Sequence, residues 1–499
     1  MKKLLCLLLA ALMVLGGMTA CANNGDKGDE TKGEAGTNAE AETGDPNYVC
    51  ELPDNLNFNG DTVTILYSIH TGRDDEIYAE NLTQAIINDA VYERNEIVKN
   101  QLSIDFAYET DDDASLVTKF TTDVKGGSHA YDIIVNASHV SMTPAIDGNY
   151  LDLNKLEYID TSKHYWTQGY NDMVTFTDEN RQFLASGPVA LSMFRLMYLT
   201  IYNKTEFEAQ QEKDLYEVVM NNEWSLDYQY QIMQGKYVDL DGDNKKSKGD
   251  AFGFVSGNCV SVDPYMVSSD LHFVIKDPDT ADLMFNADVL EPLVDLVTKT
   301  QLIFNDQGAY IWNSSTEDDV GLNNIIETFC LGHSMMATII FWNMEHNFAD
   351  LAAMSYGIAP IPKFSAEQPE YHSYVQDQVS AFGISAGVGD EDRQNELSAV
   401  LEAMAYHSYV VVRPAYYENT LSTRYMQDPE SAVILDLIFD SLDFDLASTC
   451  SAMLSVNTRD TLRGHFGGKQ NNIAHSTKSW SKSISKGLEK TNNKLAKMQ

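Results

Sequence analysis

The sequence predicts an α/β protein with parallel strands, crossover helices and more than one hydrophobic core. Three observations lead there. Strand-like and helix-like stretches alternate from Thr62 to His139, the pattern of a parallel sheet whose strands are joined by helices. The chain has 499 residues, whereas a single core stops growing near 250–300 residues. Hydrophobic content is 43% and aromatic content 10%, a globular composition.

Taken in order, Thr62-Val-Thr-Ile-Leu-Tyr67 reads as a buried strand. Polar residues Ser68 to Asp75 follow it. Ala85, Ile86, Ala90, Ile97 and Val98 recur at helical spacing, which predicts a helix over Ala85 to Lys99. Ser103 to Tyr108 alternates as a strand. Ser115 to Val124 reads as a short helix stopped by Gly126-Gly127. Tyr131-Asp-Ile-Ile-Val135 is another buried strand, and Asn136-Ala-Ser-His139 opens the next turn. Ligands of such sheets sit beyond the carboxyl ends of the strands. Ser68 to Asp75 and Asn136 to His139 are therefore expected at the edge of a cleft. Glu391 to Tyr409 and Ser431 to Phe439 read as helices, and the basic tail Thr477 to Lys497 as a solvated end helix.

The N-terminus is organised differently. Lys2 and Lys3 precede an apolar run, Leu4 to Leu15, too short for a membrane span. Gly16-Gly17-Met18-Thr19-Ala20 and then Cys21 follow. The stretch resembles a bacterial lipoprotein signal, with Met18 where Leu is usual. The resemblance implies removal of residues 1–20 and diacylglycerol on Cys21. Two or more buried acyl chains, at about 0.8 kcal/mol per methylene, anchor a domain stably. Ala22 to Pro46 has almost nothing to bury and reads as part of a disordered tether over residues 21–57. Its reach is about 25–30 Å. The expected location is the outer face of the cell membrane. No later run approaches the roughly 20 apolar residues of a membrane-spanning helix.

Charge and cysteines narrow the chemistry. There are 34 basic and 74 acidic residues, for a net charge of −40. That balance argues against nucleic acid or anionic ligands as the main partner. Cys50, Cys259, Cys330 and Cys450 are widely spaced, and nothing in their spacing demands a disulfide or suggests zinc.

Asp239-Leu-Asp-Gly-Asp-Asn-Lys-Lys-Ser-Lys-Gly-Asp250 is the sharpest motif. Asp239, Asp241, Asp243 and Asp250 fall at places 1, 3, 5 and 12 of a calcium loop, with the Lys245 carbonyl at place 7 and Ser247 at place 9. Asn244 stands where Gly is usual, and Asp250 is shorter than the usual Glu. The loop reads either as a structural calcium site or as an acidic surface turn. Gly383-Ile-Ser-Ala-Gly387 matches a hydrolase pattern, but a nucleophile elbow needs a helix starting at the serine. The next helix is expected only near Asp390, so Ser385 is read as part of a relaxed link. There is no HExxH and no phosphate-binding P-loop. No catalytic residue is expected.

Several blocks together resemble one family. They are Ile87-Asn-Asp-Ala-Val-Tyr-Glu-Arg-Asn95, Leu151-Asp-Leu153, Tyr158-Ile-Asp160 and His164-Tyr-Trp166. Then come Tyr202-Asn-Lys204, Glu223-Trp-Ser-Leu-Asp227 and Phe329-Cys-Leu-Gly-His-Ser-Met-Met336. Tyr356-Gly-Ile-Ala-Pro-Ile-Pro-Lys363, with Gln368 and Tyr371, continues the series, as do Pro414-Ala-Tyr-Tyr417 and Asp428 to Ser431. Their order resembles the extracellular solute-binding lipoproteins of ABC importers, family 1, sugar type, from about Thr62 to Leu446. The resemblance implies a two-lobed, type II periplasmic-binding-protein-like fold with crossover strands. Lobe one is expected at 58–165 with 322–382, and lobe two at 166–321 with 383–499. It also implies a monomer that closes on a sugar or oligosaccharide by hinge motion and delivers it to permease subunits. A cell-surface hydrolase of glycosidase type and a surface adhesin without a small ligand are the alternatives.

Sugars present C–H faces edged with hydroxyls, which suit flat aromatic rings and polar side chains. Trp342 falls about where sugar-binding relatives carry a stacking aromatic, as the resemblance implies. Trp312 and Trp166 are further candidates. Arg73, Asn136, Arg195 and Glu345 are chosen for their positions beside expected strand ends.

Overall fold

β1 (Asp61–Ser68) carries Val63, Ile65 and Leu66 with no exposed surface. A strand covered on both faces is what a parallel sheet flanked by helices requires. The computed structural model describes residues 50–499 apart from 178, 313–321, 418–425, 455, 468–471 and 499. The signal, Cys21 and most of the tether lie outside the described residues. Within 50–57, expected in the tether, Cys50 and Leu56 already pack against the core. Leu52 is buried and Glu51 pairs with Lys163.

α1 (Ile86–Leu102) returns the chain and ends at Ser103, whose φ of 53° closes the last turn through a bond to the Lys99 carbonyl. β2 (Ile104–Asp111) follows. The Asp112 carboxylate caps α2 (Asp113–Gly126) by accepting from the amides of Ala114 and Ser115. Gly127, at φ 64°, ends it as the glycine pair predicts. β3 (Ile133–Ala137) is buried throughout and runs into α3 (Ser138–Ile146).

The second half supplies β4 (Tyr198–Asn203), β5 (Ala251–Gly257), α4 (Leu290–Phe304), β6 (Ala309–Trp312), β7 (Ser334–Ile340), β8 (Tyr356–Ala359) and β9 (Ser380–Ile384). α5 (Glu391–His407), α6 (Pro429–Asp440), α7 (Thr458–Phe466) and α8 (Ile473–Leu495) complete it. One sheet has the order β9-β3-β1-β2, the other β6-β5-β7-β4-β8. Each contains three parallel strands, β2, β1 and β3 in the first and β6, β5 and β7 in the second. In each, an antiparallel strand lies beside the third of these, β9 in the first and β4 in the second.

The division between lobes differs from the expected one. β7 and β8 lie within 322–382, yet both pair in the second sheet, because β4 is hydrogen-bonded between them. Only the end of that segment, β9, joins the first sheet. Conversely, α5 falls within 383–499 but packs against α1 of the first lobe. The chain passes between sheets through two antiparallel segments. The Tyr198 amide donates to the Tyr374 carbonyl at 3.0 Å, and the Gln376 amide to the Leu196 carbonyl at 3.0 Å.

α8 also departs from expectation. It buries Ile473, Trp480, Ile484, Leu488 and Leu495 along one face. Trp480 meets Phe273 edge-on at 6.4 Å, and Lys494 pairs with Asp147 just beyond α3. The tail is therefore a docked helix. Cys50, Cys259, Cys330 and Cys450 are all unpaired thiols.

Glu402 of α5 ties down residues 160–166. It accepts from the Tyr165 hydroxyl, from Trp166 Nε1 at 3.2 Å and from the Asp160 amide at 3.3 Å. Burial pushes its carboxyl up to about 6 against these bonds. A raised folded-state value makes its stabilising contribution complete below the unfolded value, about 4.5, and lost as pH rises through about 6. The difference is about 2 kcal/mol. Denaturant titrations across this range should therefore show a shallower decline for Glu402→Gln than for wild type, by that amount; parallel curves would refute the assignment.

Candidate functional site

The loop after β1 meets the second lobe at the carboxyl ends of the strands. Helix α1 fixes its far end. Buried Arg94 donates to the carbonyls of Glu76 and Ile77 at 3.1 and 3.0 Å, and Asn95 Nδ2 to that of Ile77 at 3.0 Å. Gly72 lies within the loop at φ 82°. A Cβ there would come within 2.9 Å of Leu196 Cδ2 and 3.7 Å of Trp342 Cδ1. Glycine thus meets both a left-handed backbone and a close approach.

Arg195 links the lobes beside that loop. It grips the Asp75 carboxylate with both terminal nitrogens, and its Nε lies 3.4 Å from Glu345 Oε2. Glu345 also accepts from the Tyr416 hydroxyl, and Arg195 sits 5.4 Å from the centre of the Tyr416 ring. Burial acts to lower the Arg195 guanidinium, and Glu345 and Asp75 more than offset it. Trp342 is half-buried and stacks on His346 with centroids 3.7 Å apart.

A second polar cluster adjoins the returning segment. Arg459 of α7 pairs with Asp377, whose carbonyl contacts His139 Nδ1 at 3.3 Å. Arg463, one turn further on, grips Asp263 at 2.7 and 2.5 Å. Burial, followed by the Arg459 charge, pushes His139 down to about 4, so it is neutral at physiological pH. Tyr198 and Tyr374 stack at 6.0 Å, and Tyr374, Arg459 and Arg463 help line a small cavity of about 10 Å³.

Two sheets of this order, joined by paired crossing segments and facing each other through their strand ends, decide the architecture. The fold is the two-lobed fold of periplasmic sugar-binding proteins. UspC of M. tuberculosis superposes with a TM-score of 0.54 at 15% identity, over 85% of this chain and 100% of that one. A sugar transporter from Rhizobium etli, in an open conformation, gives 0.52 at 14% identity, over 88% and 100%. A cyclo/maltodextrin-binding protein complexed with maltotetraose gives 0.52 at 11%, over 88% and 98%. No family model and no curated protein matches the sequence. At these identities the likeness is one of fold.

Within this two-lobed fold the candidate residues separate. Trp342, Arg195 and Glu345 come together at the junction, and Arg73 lies in the facing loop. Arg73 is fully buried, donating to Ser68 Oγ at 2.8 Å and Asp113 at 2.7 Å. Asn136 is also fully buried, holding the Asp113 carbonyl at 3.0 Å. Both brace strand ends, with no surface to offer a ligand. Trp166 is a core residue, 2% exposed and bonded to Glu402. Trp312 ends β6, is 9% exposed, and among the described residues its Nε1 has no hydrogen-bond partner.

Ser385 is fully buried, its Oγ accepting from the Gly387 amide at 3.2 Å, and α5 begins only at Glu391. That is not a nucleophile elbow. A larger hollow of about 510 Å³, lined by Tyr150, Asp152, Arg181 and Phe183 among others, lies beside the start of α5.

Asp75 lies in the stretch expected at the cleft edge, whereas Asp377, Arg459, Arg463 and Asp263 had no distinguishing local pattern. The one available signal was the i, i+4 spacing of Arg459 and Arg463 in an acidic chain, which puts both on one helix face.

Arg195→Met should destabilise the protein by about 3 kcal/mol, since it removes a buried guanidinium and leaves the Glu345 carboxylate, 14% exposed, without its cation. Asp75 is 43% exposed, so Asp75→Asn should cost about 1 kcal/mol or less. Chemical denaturation of both variants checks the order; equal losses would contradict it.

Proposed function

We propose that this protein is a lipid-anchored solute receptor, which takes a carbohydrate between its lobes and presents it, unchanged, to an ABC permease at the outer face of the membrane. The observation carrying the reading is the meeting of Trp342 from the second lobe with the Gly72 loop of the first, beside paired carboxylates and guanidiniums. An indole offers a flat face to sugar C–H groups, and charged side chains match hydroxyls. The maltotetraose complex of the maltodextrin-binding neighbour supports an oligosaccharide as ligand.

A ligand bound only by the folded state raises its stability by mass action. A thermal-shift screen of mono- and oligosaccharides should reveal one that stabilises the protein without being consumed. Trp342→Ala should weaken that saccharide's binding at least tenfold in calorimetry, about 1.4 kcal/mol or more. Release of hydrolysis products would replace the receptor reading with the glycosidase one. Absence of stabilisation by any saccharide would favour the adhesin.

The proposal includes a structural calcium ion at the loop beginning at Asp239. Asp239, Asp241 and Asp243 can each bring an oxygen within 4.8 Å of the others. Asn244 adopts φ 60° at the expected turn. Asp250 departs from its expected ligand role: its oxygens accept from the amides of Leu240 and Ser247, at 3.1 and 2.8 Å. Lys245 donates its amide to Asp243 at 2.7 Å. Calcium should raise the melting temperature and Asp241→Asn should abolish the rise; an unchanged response in that variant would refute the site.

A further inference from the structure

We infer that Asp270, His372 and Asp443, with His272 held against Asp443, form a binding site for a divalent transition-metal ion of the zinc class. The residues come from three separate stretches of chain. The backbone brings two of them together, since Ser373 and Asp443 donate amides to the carbonyls of Ser441 and Ser373 at 2.8 and 2.9 Å. Asp443 is oriented by accepting from the Phe444 amide at 2.7 Å.

The ligand spacing fits the ion. Asp443 Oδ2 lies 3.0 Å from His272 Nε2 and 2.9 Å from His372 Nδ1. Asp270 Oδ1 lies 3.8 Å from His372 Nε2. One ligand atom each from Asp270, His372 and Asp443 can be chosen so that all lie within 4.8 Å of one another. In a tetrahedron of zinc bonds near 2.0–2.2 Å, neighbouring ligand atoms are about 3.4 Å apart. Asp443 reaches the Nδ1 side of the His372 ring and Asp270 the Nε2 side, so an ion takes one of these nitrogens, rotation of Asp270 brings its carboxylate to it, and water fills the fourth place.

The donor set also selects the ion. Two carboxylates balance a dipositive charge, and with one imidazole and a water they suit zinc and its neighbours. Calcium, which takes six to eight oxygens, is poorly matched. His272 and His372 each retain 22% side-chain exposure and Asp270 54%, so an ion can enter from solvent. The position is distinct from the sugar site and from the Asp239 loop. It anchors residue 372, two residues before the crossing segment begins its pairing at Tyr374.

The test is calorimetric titration of the metal-free full chain with zinc chloride, joined to the visible spectrum after cobalt(II) addition. Wild type and an Asp241→Asn, Asp243→Asn control should take up one tight equivalent and show the intense absorption of four-coordinate cobalt. His372→Gln should weaken zinc binding at least a hundredfold and lose the cobalt band, and His272→Gln, which removes the imidazole bonded to Asp443, should weaken it at least tenfold, with circular dichroism unchanged in both. Wild-type uptake that survives in both histidine variants, or no tight equivalent in wild type, would overturn the proposal.

Discussion

A carboxylate buried where the chain crosses between its lobes organises the rest. Glu76 has 1% of its surface exposed. It accepts from the Ser192 amide at 2.9 Å on one crossing segment and from the Ser380 hydroxyl on the other. Ser380 in turn donates its amide to Ser192 Oγ at 3.1 Å. Burial raises the Glu76 carboxyl, which these bonds and Arg73 oppose. Losing one partner would leave a buried polar group unsatisfied, a penalty of about 1–3 kcal/mol or more for a charged group. Hence the loop after β1, the entry to β4 and the start of β9 are held as one unit. That unit fixes the first-lobe side of the junction.

Much of the first lobe was legible because its evidence is local. Apolar runs and helical spacing place β1, α1, β2, α2 and β3 within a few residues of where they fold, and Gly127 stops α2 as read. Sheet membership was not legible. The blocks that contain β7 and β8 were quoted only as parts of a family-like series, and only the register with β4 assigns these strands to the second sheet; register is a long-range property. α8 misled for a different reason. Its many Lys, Ser and Asn residues give a polar average, while the stripe from Ile473 through Trp480, Ile484 and Leu488 packs inward. Periodicity, not composition, carried that information.

The candidate site was legible at its strand ends and not in its pairings. Arg73 and Asn136 stand at the expected edge, yet both are spent on holding Asp113 and its loop in place. Position along a strand says where a side chain starts. It does not say whether a neighbour has already claimed its polar atoms. Trp166 shows the same limit: an indole beside a buried glutamate is a structural donor, indistinguishable by sequence from one facing a sugar.

The pairing pattern bears on which solute the cleft suits. The chain is strongly acidic, but at the junction its carboxylates are matched. Asp75 and Glu345 share Arg195, Asp113 holds Arg73, Asp377 holds Arg459, and Asp263 holds Arg463. These guanidiniums are therefore occupied, and an anionic solute would have to break a pair to find a counter-charge. Breaking a buried pair strands the carboxylate left behind, at a cost of several kcal/mol. A neutral, hydroxyl-rich solute incurs no such cost. It can accept from guanidinium N–H groups and donate to carboxylate oxygens while the pairs persist, lying against an apolar face such as that of Trp342. Only contacts made to both lobes at once favour a closed form over an open one. A molecule with hydroxyls on several sides meets that condition better than one with a single charged group.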